Sequence, residues 1–274
     1  MKNEMNNYTT ESNESSETRI HPTAIIAPGA ELGRGVVVGP FSVVGAKVKI
    51  GDGCEIGGHV VMDGRVTIGK KNLISAFASI GSRPQDLKYR GEDTELLIGD
   101  NNMFREYSNL SLGTDGGGGK TVIGNDNLFM VSTHVAHDCI VGNHVIAANC
   151  VALGGHVLVG DRAVLGGLSA VHQFCRVGQY AMIAGGAMVT QDVVPYGMVQ
   201  GDRARINGLN VVGIRRLGLK NADLQDIKSM YHLVFDSSLT LEDARARILS
   251  DVGPSVHRQV WLDFLQKSDR GVCR

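Results

Sequence analysis

The chain has few aromatic residues, no excess of either charge and no long hydrophobic run. Aromatic side chains make up 5% of its 274 residues, and 27 lysines and arginines are balanced by 28 aspartates and glutamates. Balanced charge gives no reason to expect a polyanionic partner, so we expect no nucleic-acid binding. The apolar runs are much shorter than a membrane-spanning helix requires, and no signal-peptide pattern precedes Ile20. We therefore also expect no stable membrane insertion.

The cysteines lack the spacing of a metal site. There are five, and none belongs to a CxxC pair or another metal-ligand pattern. Cys54, Cys139 and Cys175 take repeat positions that small residues otherwise occupy. We interpret them as reduced residues of the core, which is typical of a protein in a reducing, cytoplasmic compartment.

What the chain contains in abundance is glycine, with 36 residues, and an apolar residue at every sixth position. This period covers Ile20–Ile80, Ile98–Leu110 and Ile123–Val189. It excludes an amphipathic helix, whose apolar residues recur at three and four. A hexapeptide period predicts a mainly β fold, a parallel β-helix in which three hexapeptides make one coil of a triangular prism. Glycine often follows the apolar residue, as in Ile50-Gly51, and we expect it to turn the corners at positive φ.

Interruptions of the period divide the chain. Residues 1–18 are polar and acidic and are predicted to be a disordered tail. Residues 19–200 are predicted to form the prism, with loops at 82–97 and 111–121 where the period lapses. The second loop contains Gly116–Gly119, which match no phosphate-binding pattern and are interpreted as part of a surface loop.

The remaining residues, 201–274, have a helical rather than a hexapeptide pattern. We expect one helix capped by Asn221, a second that starts after Thr240 and a third that starts after Pro254. Because the last coil of a solenoid exposes its core, this segment is predicted to be a small helical cap on the prism.

Five of the nine histidines lie in residues 129–173, where the repeat is regular. Residues three hexapeptides apart lie on neighbouring coils of one wall, so Asp138 is expected beside His156 and Gly155 beside His137. A carboxylate next to a histidine orients the imidazole as a general base. A bare Gly155 amide would stabilise the oxyanion of a tetrahedral intermediate. Because no Ser or Cys is placed as a nucleophile, we predict direct acyl transfer to a substrate hydroxyl or amine.

Other histidines support weaker interpretations. His144 and His59 lack such stacking relations and are interpreted as surface residues. His134 and His137 are three residues apart, as in some zinc sites shared between subunits, but no third ligand is evident. We therefore expect no metal and no cofactor. A zinc-dependent hydratase and a non-catalytic binding protein are the alternatives from other classes.

Four motifs together resemble one enzyme family. They are VAHDC at 135–139, GHV at 155–157, AVHQF at 170–174 and QDLKY at 85–89. From Ile20 to the C-terminal residues, the chain is similar to the UDP-N-acetylglucosamine O-acyltransferases of lipid A synthesis. The resemblance implies a left-handed β-helix, an exception to the usual right-handed crossover, and a homotrimer with clefts between subunits. It also implies transfer of an (R)-3-hydroxyacyl chain from acyl carrier protein to the 3-hydroxyl of UDP-N-acetylglucosamine.

The resemblance assigns roles to particular residues. His137 would take the proton from the sugar hydroxyl, Asp138 would hold its imidazole, and the Gly155 amide would bind the oxyanion. Substrate contacts are implied at further matching positions: Asp86, Lys88, His134, His156, His172 and Gln173, with Asn210 and Arg216 near the uridine and phosphates. Gly185 matches a position where a larger residue would shorten the acyl groove, which implies a fairly long chain. Basic residues of the C-terminal part would face the acidic carrier protein: Arg215, Arg216, Arg245 and Arg247.

The sequence departs from the family pattern in three places. Ser111-Leu112 replaces a His or Asn followed by a basic residue, Val212 replaces a common Glu, and Leu217 replaces a second Arg. The departures leave a sugar amine open as the acceptor. The related UDP-acylglucosamine N-acyltransferase is a further alternative, although it typically carries an N-terminal uridine-binding domain, whereas the repeat here begins at Ile20.

Overall fold

Most of the chain forms a left-handed parallel β-helix, in a computed structural model that describes residues 17–274. The mainly β fold class with a small helical C-terminal part is confirmed. Every apolar position of the six-residue period lies in a short strand. The predicted disordered tail, apart from its last two residues, lies outside the described part of the chain.

The prism has three walls, each a sheet to which every coil adds one strand. The first wall contains Arg19–Ile20, Val37–Val38, Glu55–Ile56, Leu73–Ile74, Met103–Phe104, Leu128–Phe129, Ile146–Ala147, Val164–Leu165, Met182–Ile183 and Gly197–Gln200. The second wall contains Ile25–Ile26, Val43–Val44, Val61–Met62, Ser79–Ser82, Asn109–Ser111, His134–Val135, Ala152–Leu153, Ala170–Val171 and Met188–Val189. The third wall contains Glu31–Leu32, Val48–Ile50, Arg65–Ile68, Glu95–Ile98, Lys120–Ile123, Ile140–Val141, Leu158–Val159 and Arg176–Val177.

Parallel pairing places each residue beside its counterpart in the next coil. Ile140 pairs with Leu158, which pairs in turn with Arg176. The inward side chains are mostly Val, Ile and Leu and are almost fully buried. Phe104 and Phe129 are the large exceptions, and their rings stack at 5.1 Å inside the prism. Three hexapeptides along the chain therefore do correspond to one step along a wall.

The corners are built differently from the prediction. Positive φ occurs three residues after the apolar position and often at non-glycine residues, as at Asp138 with φ 60° and His156 with φ 62°. The glycine directly after the apolar residue serves close stacking instead. A Cβ on Gly33 would lie 2.6 Å from the Asp52 amide nitrogen of the next coil, so no larger residue fits there. The edges of the prism can therefore carry functional side chains.

Both excursions are shorter than the predicted loops at 82–97 and 111–121. Glu95–Ile98 and Lys120–Ile123 are strands of the third wall and pair with each other. Ser82 and Ser111 pair in the second wall. In this region the chain therefore leaves the prism at residues 83–94 and 112–119, because the polar residues that flank both segments continue the strands.

The prism also continues beyond Val189, where the sequence period ends. Val193 forms a bridge with Val177, and Gly197–Gln200 extends the first wall. Arg205–Leu209 then turns back as an antiparallel strand. The spacing in this last coil departs from six, which is why the period does not predict it.

Four helices follow the prism: Val211–Arg216 (α1), Asn221–Phe235 (α2), Leu241–Asp251 (α3) and Val256–Gln266 (α4). The start of α3 is as predicted, with a capping box of Thr240 and Asp243. Helix α2 is capped at Lys220, so Asn221 is its first residue rather than its cap, and α1 was not predicted.

The helices form a second core around Trp261, which includes Tyr196 from the end of the prism. Val272 then returns to the prism in a bridge with Asp192, so the C-terminal segment closes its end. Within residues 17–274, no helix has the length and hydrophobicity needed to cross a membrane.

Candidate active site

His137 and Asp138 form the edge between the second and third walls, directly after the strand His134–Val135. Nδ1 of His137 lies 2.8 Å from Oδ2 of Asp138. Because a carboxylate accepts hydrogen bonds, the imidazole donates through Nδ1 and keeps Nε2 as the basic nitrogen. The Asp138 side chain is fully buried, while 12% of the His137 side chain is exposed. The pair therefore has the arrangement of an oriented general base.

Gly155 lies one coil further on, directly against the His137 ring. A Cβ at this position would be 2.6 Å from Cε1 and 2.8 Å from Nε2 of His137, so only glycine allows the ring to lie where it does. Within residues 17–274, no hydrogen bond involves the Gly155 amide N–H. Buried backbone amides normally have a partner, so this N–H is available to a ligand oxygen beside the basic nitrogen.

His156 stands between Asp138 and an aromatic side chain of the following coil. Its Nε2 lies 3.8 Å from Asp138 Oδ2, and its ring stacks on Phe174 at 4.4 Å. The His137 and His156 rings meet edge to face at 5.2 Å. Burial lowers the pKa of His156, and the charges of Asp138 and Asp86 oppose that shift. The predicted stacking of Asp138 with His156 is thus present, and the charge of Asp86 reaches the same ring.

His134 faces outwards from the second wall beside this edge. Its Nδ1 lies 2.8 Å from Oδ1 of Asn109 in the preceding coil. Burial lowers the pKa of His134 below the usual 6.5, and the charge of His137 lowers it further. His134 is therefore a neutral hydrogen-bonding group next to the base.

The other predicted contact residues near this edge are more exposed. Asp86 accepts the Lys88 amide N–H at 2.9 Å, which shapes the turn of the 83–94 excursion. Nδ1 of His172 lies 3.1 Å from the Gln173 carbonyl oxygen, on the coil after Gly155. The Lys88, His172 and Gln173 side chains all reach solvent, so a bound molecule has access to them.

The remaining predicted residues lie on other edges. Gly185 lies between the first and second walls, across the second wall from His137. Asn210 caps α1 by accepting the Gly213 amide and donates to the Tyr180 carbonyl, both at 2.9 Å. Its side chain is thus engaged within the chain. Arg216 ends α1 and is exposed. Uridine contacts by Asn210 and Arg216 stay predictions.

Two of the departures from the family pattern point away from the cleft. Ser111 is 1% exposed, and its Oγ lies 3.4 Å from Ser82 Oγ. Leu112 is 5% exposed and packs on Gly64, where a Cβ would be 2.6 Å from the leucine Cδ1. Neither side chain reaches the surface around His137. Val212, by contrast, is 60% exposed at the start of α1.

Sequence reasoning missed the contribution of the 112–119 excursion, which was interpreted as a surface loop. Thr114 donates hydrogen bonds to the Asp138 carboxylate, and Gly117 lies directly over that carboxylate. Thr114 lies 24 residues before Asp138, which is not a whole number of three-hexapeptide coils, and neither is the separation of Gly117, so the stacking rule does not reveal them. The glycine cluster of this excursion is the one feature of the sequence that could have indicated its close approach to Asp138.

A metal-site interpretation also has a geometric basis. Ligand atoms of His137, Asp138 and His156 lie within 4.8 Å of one another, a different set from the His134 and His137 pair considered above. Oδ2 of Asp138, however, already accepts hydrogen bonds from Thr114 Oγ1 and His137 Nδ1. Both of its lone pairs are used, which favours the orienting role over ligation.

The lowered pKa values of His134 and His156 predict a dependence of stability on pH. Folding disfavours their charged forms, so the unfolded chain binds more protons below the usual pKa of 6.5. Stability from these groups is complete above that pH and is lost on acidification. We expect the fall in Tm between about pH 7.5 and about pH 5.5 to be smaller in His134→Gln than in wild type. An equal fall in both proteins would contradict this.

The chain is similar to known proteins over most of its length. The family model described as Udp N-acetylglucosamine O-acyltransferase, Domain 2, matches residues 192–273, and the bacterial transferase hexapeptide model matches residues 33–64. A Myxococcus xanthus protein named acyl-[acyl-carrier-protein]--UDP-N-acetylglucosamine O-acyltransferase is 48% identical over 93% of this chain and 99% of its own length. A protein of the same name from Halorhodospira halophila is 48% identical over 94% and 100% of the two chains. The structure of LpxA from Acinetobacter baumannii matches with a TM-score of 0.91 and 45% identity, and the match covers 93% of this chain and 99% of that chain.

A hexapeptide-repeat prism whose relatives are named as acyltransferases is the fold of an acyltransferase. The match to these relatives extends over almost all of both chains. The chain belongs to the acyl-[acyl-carrier-protein]--UDP-N-acetylglucosamine O-acyltransferase family. The resemblance stated from its motifs is thereby confirmed.

Proposed function

We propose that this chain transfers an (R)-3-hydroxyacyl group from acyl carrier protein to the 3-hydroxyl of UDP-N-acetylglucosamine, the first step of lipid A biosynthesis. The donor and acceptor appear in the names of its relatives. The observation that carries the proposal is the His137–Asp138 pair with the unpaired Gly155 amide against the same ring. This pair and this amide supply the two groups that acyl transfer to a hydroxyl requires.

In the proposed mechanism, Nε2 of His137 takes the proton from the 3-hydroxyl as its oxygen attacks the thioester carbonyl carbon. The tetrahedral oxyanion is directed at the Gly155 N–H. When the intermediate collapses, the C–S bond breaks and the imidazolium returns the proton to the sulfur. Asp138 keeps its negative charge throughout and stabilises the imidazolium through Nδ1.

The neighbouring residues supply polar contacts for the acceptor. His134 and His156 are the half-buried members of this group, and burial keeps both neutral and able to hydrogen-bond. Asp86, Lys88, His172 and Gln173 are proposed as the outer contacts, because they surround the same edge from the coils and the excursion next to it. We propose that no cofactor takes part, since the acyl group arrives activated on the carrier protein.

A homotrimer is the proposed assembly. The outward side chains of the first wall are apolar and half-buried on eight strands: Val37, Leu73, Met103, Leu128, Ile146, Val164, Met182 and Met198. On the third wall the outward Glu31 and Lys49 instead form an ion pair at 2.8 Å. An apolar wall of this length fits burial against another copy. Packing against it would bring Gly185, Asn210 and Arg216 of one subunit towards the His137 edge of the next.

The donor is proposed to approach from the helical cap. Arg215 and Arg216 end α1, and on α3 Arg247 is exposed and Arg245 is half-buried. An acidic carrier protein is attracted to such a surface. A carrier-bound donor and a nucleotide-sugar acceptor place the reaction in the cytoplasm, where we propose that this protein works.

Gly185 offers a test of the acyl groove. The nearest atom to a Cβ there is the Gly167 carbonyl oxygen at 3.3 Å, so a longer side chain would project off the edge without displacing the coil. We expect Gly185→Met to shift the preferred acyl chain to a shorter length by several carbons. The measurement is kcat/KM across a series of acyl carrier protein thioesters, and an unchanged length optimum would contradict the groove position.

The proposed function is tested with purified protein, 3-hydroxyacyl carrier proteins of several lengths and two acceptors. One acceptor is UDP-N-acetylglucosamine, and the other carries an amine at position 3. Mass spectrometry should detect an acylated UDP-N-acetylglucosamine formed faster than the amide product. Faster turnover of the amine would select the alternative acceptor, and turnover of neither would favour a non-catalytic binding protein.

A further inference from the structure

The 112–119 excursion closes over the buried side of the His137–Asp138 pair. Thr114 contacts both oxygens of the Asp138 carboxylate: its amide N–H donates to Oδ1 at 2.8 Å and its hydroxyl donates to Oδ2 at 2.6 Å. The carboxylate is fully buried, and Thr114 is 6% exposed. A two-point contact of this kind fixes both the position and the rotation of the carboxylate.

Two further residues complete the enclosure. The Asp138 amide N–H donates to Thr121 Oγ1 at 2.9 Å, and Thr121 is fully buried. Gly117 lies so close to the Asp138 carboxylate that any side chain there would overlap it. Close approach to Asp138 thus explains Gly117, whereas Gly118 and Gly119 have positive φ, at 98° and 80°.

We propose that Thr114 is a positioning residue, which sets the direction of the His137 imidazole by clamping Asp138. Oδ2 receives two donors, the Thr114 hydroxyl and His137 Nδ1–H. The carboxylate therefore cannot rotate without losing one of them. With the carboxylate held, the ring presents Nε2 towards Gly155, and Thr114, which is 6% exposed, is linked to the base through Asp138. The inference deepens the proposed function and rests on it for the role of His137.

A purely structural role predicts a different behaviour. If Thr114 only anchored the excursion to the prism, its loss would lower Tm and affect turnover independently of Asp138. If it acts through Asp138, its effect on kcat should vanish once that carboxylate is gone. The two roles are therefore separated by a double-mutant cycle.

The variants are Thr114→Val, which keeps the shape and the amide N–H but loses the hydroxyl, and Thr114→Ser, which keeps the hydroxyl. We expect Thr114→Val to lower kcat about 10- to 100-fold, the loss expected for a hydrogen bond to a charged group. KM should change little, and Thr114→Ser should retain most of the activity. In an Asp138→Ala background, Thr114→Val should change kcat less than about twofold. The same fold loss in both backgrounds would overturn the proposal.

A readout that needs no substrate separates failure of this inference from failure of the proposed function. The Nδ1–H proton of His137, identified by its absence in His137→Ala, should give a low-field NMR resonance in the wild type. Thr114→Val should shift or broaden that resonance, and Thr114→Ser should preserve it. If the wild type shows no acyl transfer, the proposed function fails, and the resonance alone then tests whether Thr114 positions His137. An unchanged resonance in Thr114→Val would overturn the positioning role.

Discussion

Replacing His137 with alanine is expected to lower kcat about 10³-fold, since a positioned general base contributes roughly 10²- to 10⁴-fold. KM for UDP-N-acetylglucosamine should change by less than about threefold, because the other contacts remain. His137 lies at an edge of the prism, after the strand His134–Val135 has ended, and its side chain is partly exposed. Removing the side chain therefore leaves the strands on either side in place. Steady-state kinetics with the acyl carrier protein donor measures the effect.

His144 provides a matched control for this substitution. It is likewise a histidine at an edge of the prism, with φ 55°, and its Nε2 lies 3.8 Å from Asp126 Oδ2 on the edge between the third and first walls. His144→Ala should keep wild-type turnover. If His137→Ala kept near-wild-type turnover as well, His137 would not be the base.

Gly155→Ala is expected to lower kcat about 10²-fold, the loss that follows a displacement of about 1 Å in a catalytic group. The added methyl group would lie 2.6 Å from Cε1 of His137, so the ring must move away from the oxyanion position. Gly155 is not among the residues with positive φ, so its backbone accepts alanine without strain. The loss should therefore appear in kcat with little change in Tm.

Gly58 takes the same repeat position in an earlier coil. A Cβ there would meet Pro40 atoms at 3.2 Å and beyond, far along the prism from His137. Gly58→Ala should leave kcat unchanged. Wild-type kcat in Gly155→Ala would show that close approach to the histidine has no catalytic importance.

The six-residue period predicted the prism because every apolar position has the same role, which is to fill the interior of a coil. Every inward side chain between Ile20 and Val189 meets its counterpart in the next coil, so burial imposes the repeat directly on the sequence. The corners do not follow in the same way. Asp138 and His156 have left-handed φ at positions where the period does not restrict the residue type. The prediction placed positive φ at the glycine directly after the apolar residue, whereas it occurs three residues after that residue.

The candidate site was predictable where it lies on the walls. Counting by coils brought Gly155 to His137 and His156 to Asp138, and the contacts of both pairs follow that count. It could not bring in Thr114, because an excursion of irregular length breaks the correspondence between sequence distance and position.

The helical cap limits sequence reasoning in another way. Helix α1 has only six residues, too few for a clear amphipathic pattern. Asn210 matched a substrate-contacting position by resemblance, yet its amide bonds to the Tyr180 carbonyl and the Gly213 amide. Such local pairing depends on where the last coil ends, which the period does not reveal.

The most direct test of the proposed chemistry is the bond formed in the product. Wild-type protein is incubated with a 3-hydroxyacyl carrier protein and UDP-N-acetylglucosamine, and the acylated product is then treated with hydroxylamine. An ester at the 3-hydroxyl should be cleaved to release the nucleotide sugar and a hydroxamate. No acylated nucleotide sugar, or a product that resists hydroxylamine as an amide does, would contradict acyl transfer to the sugar hydroxyl.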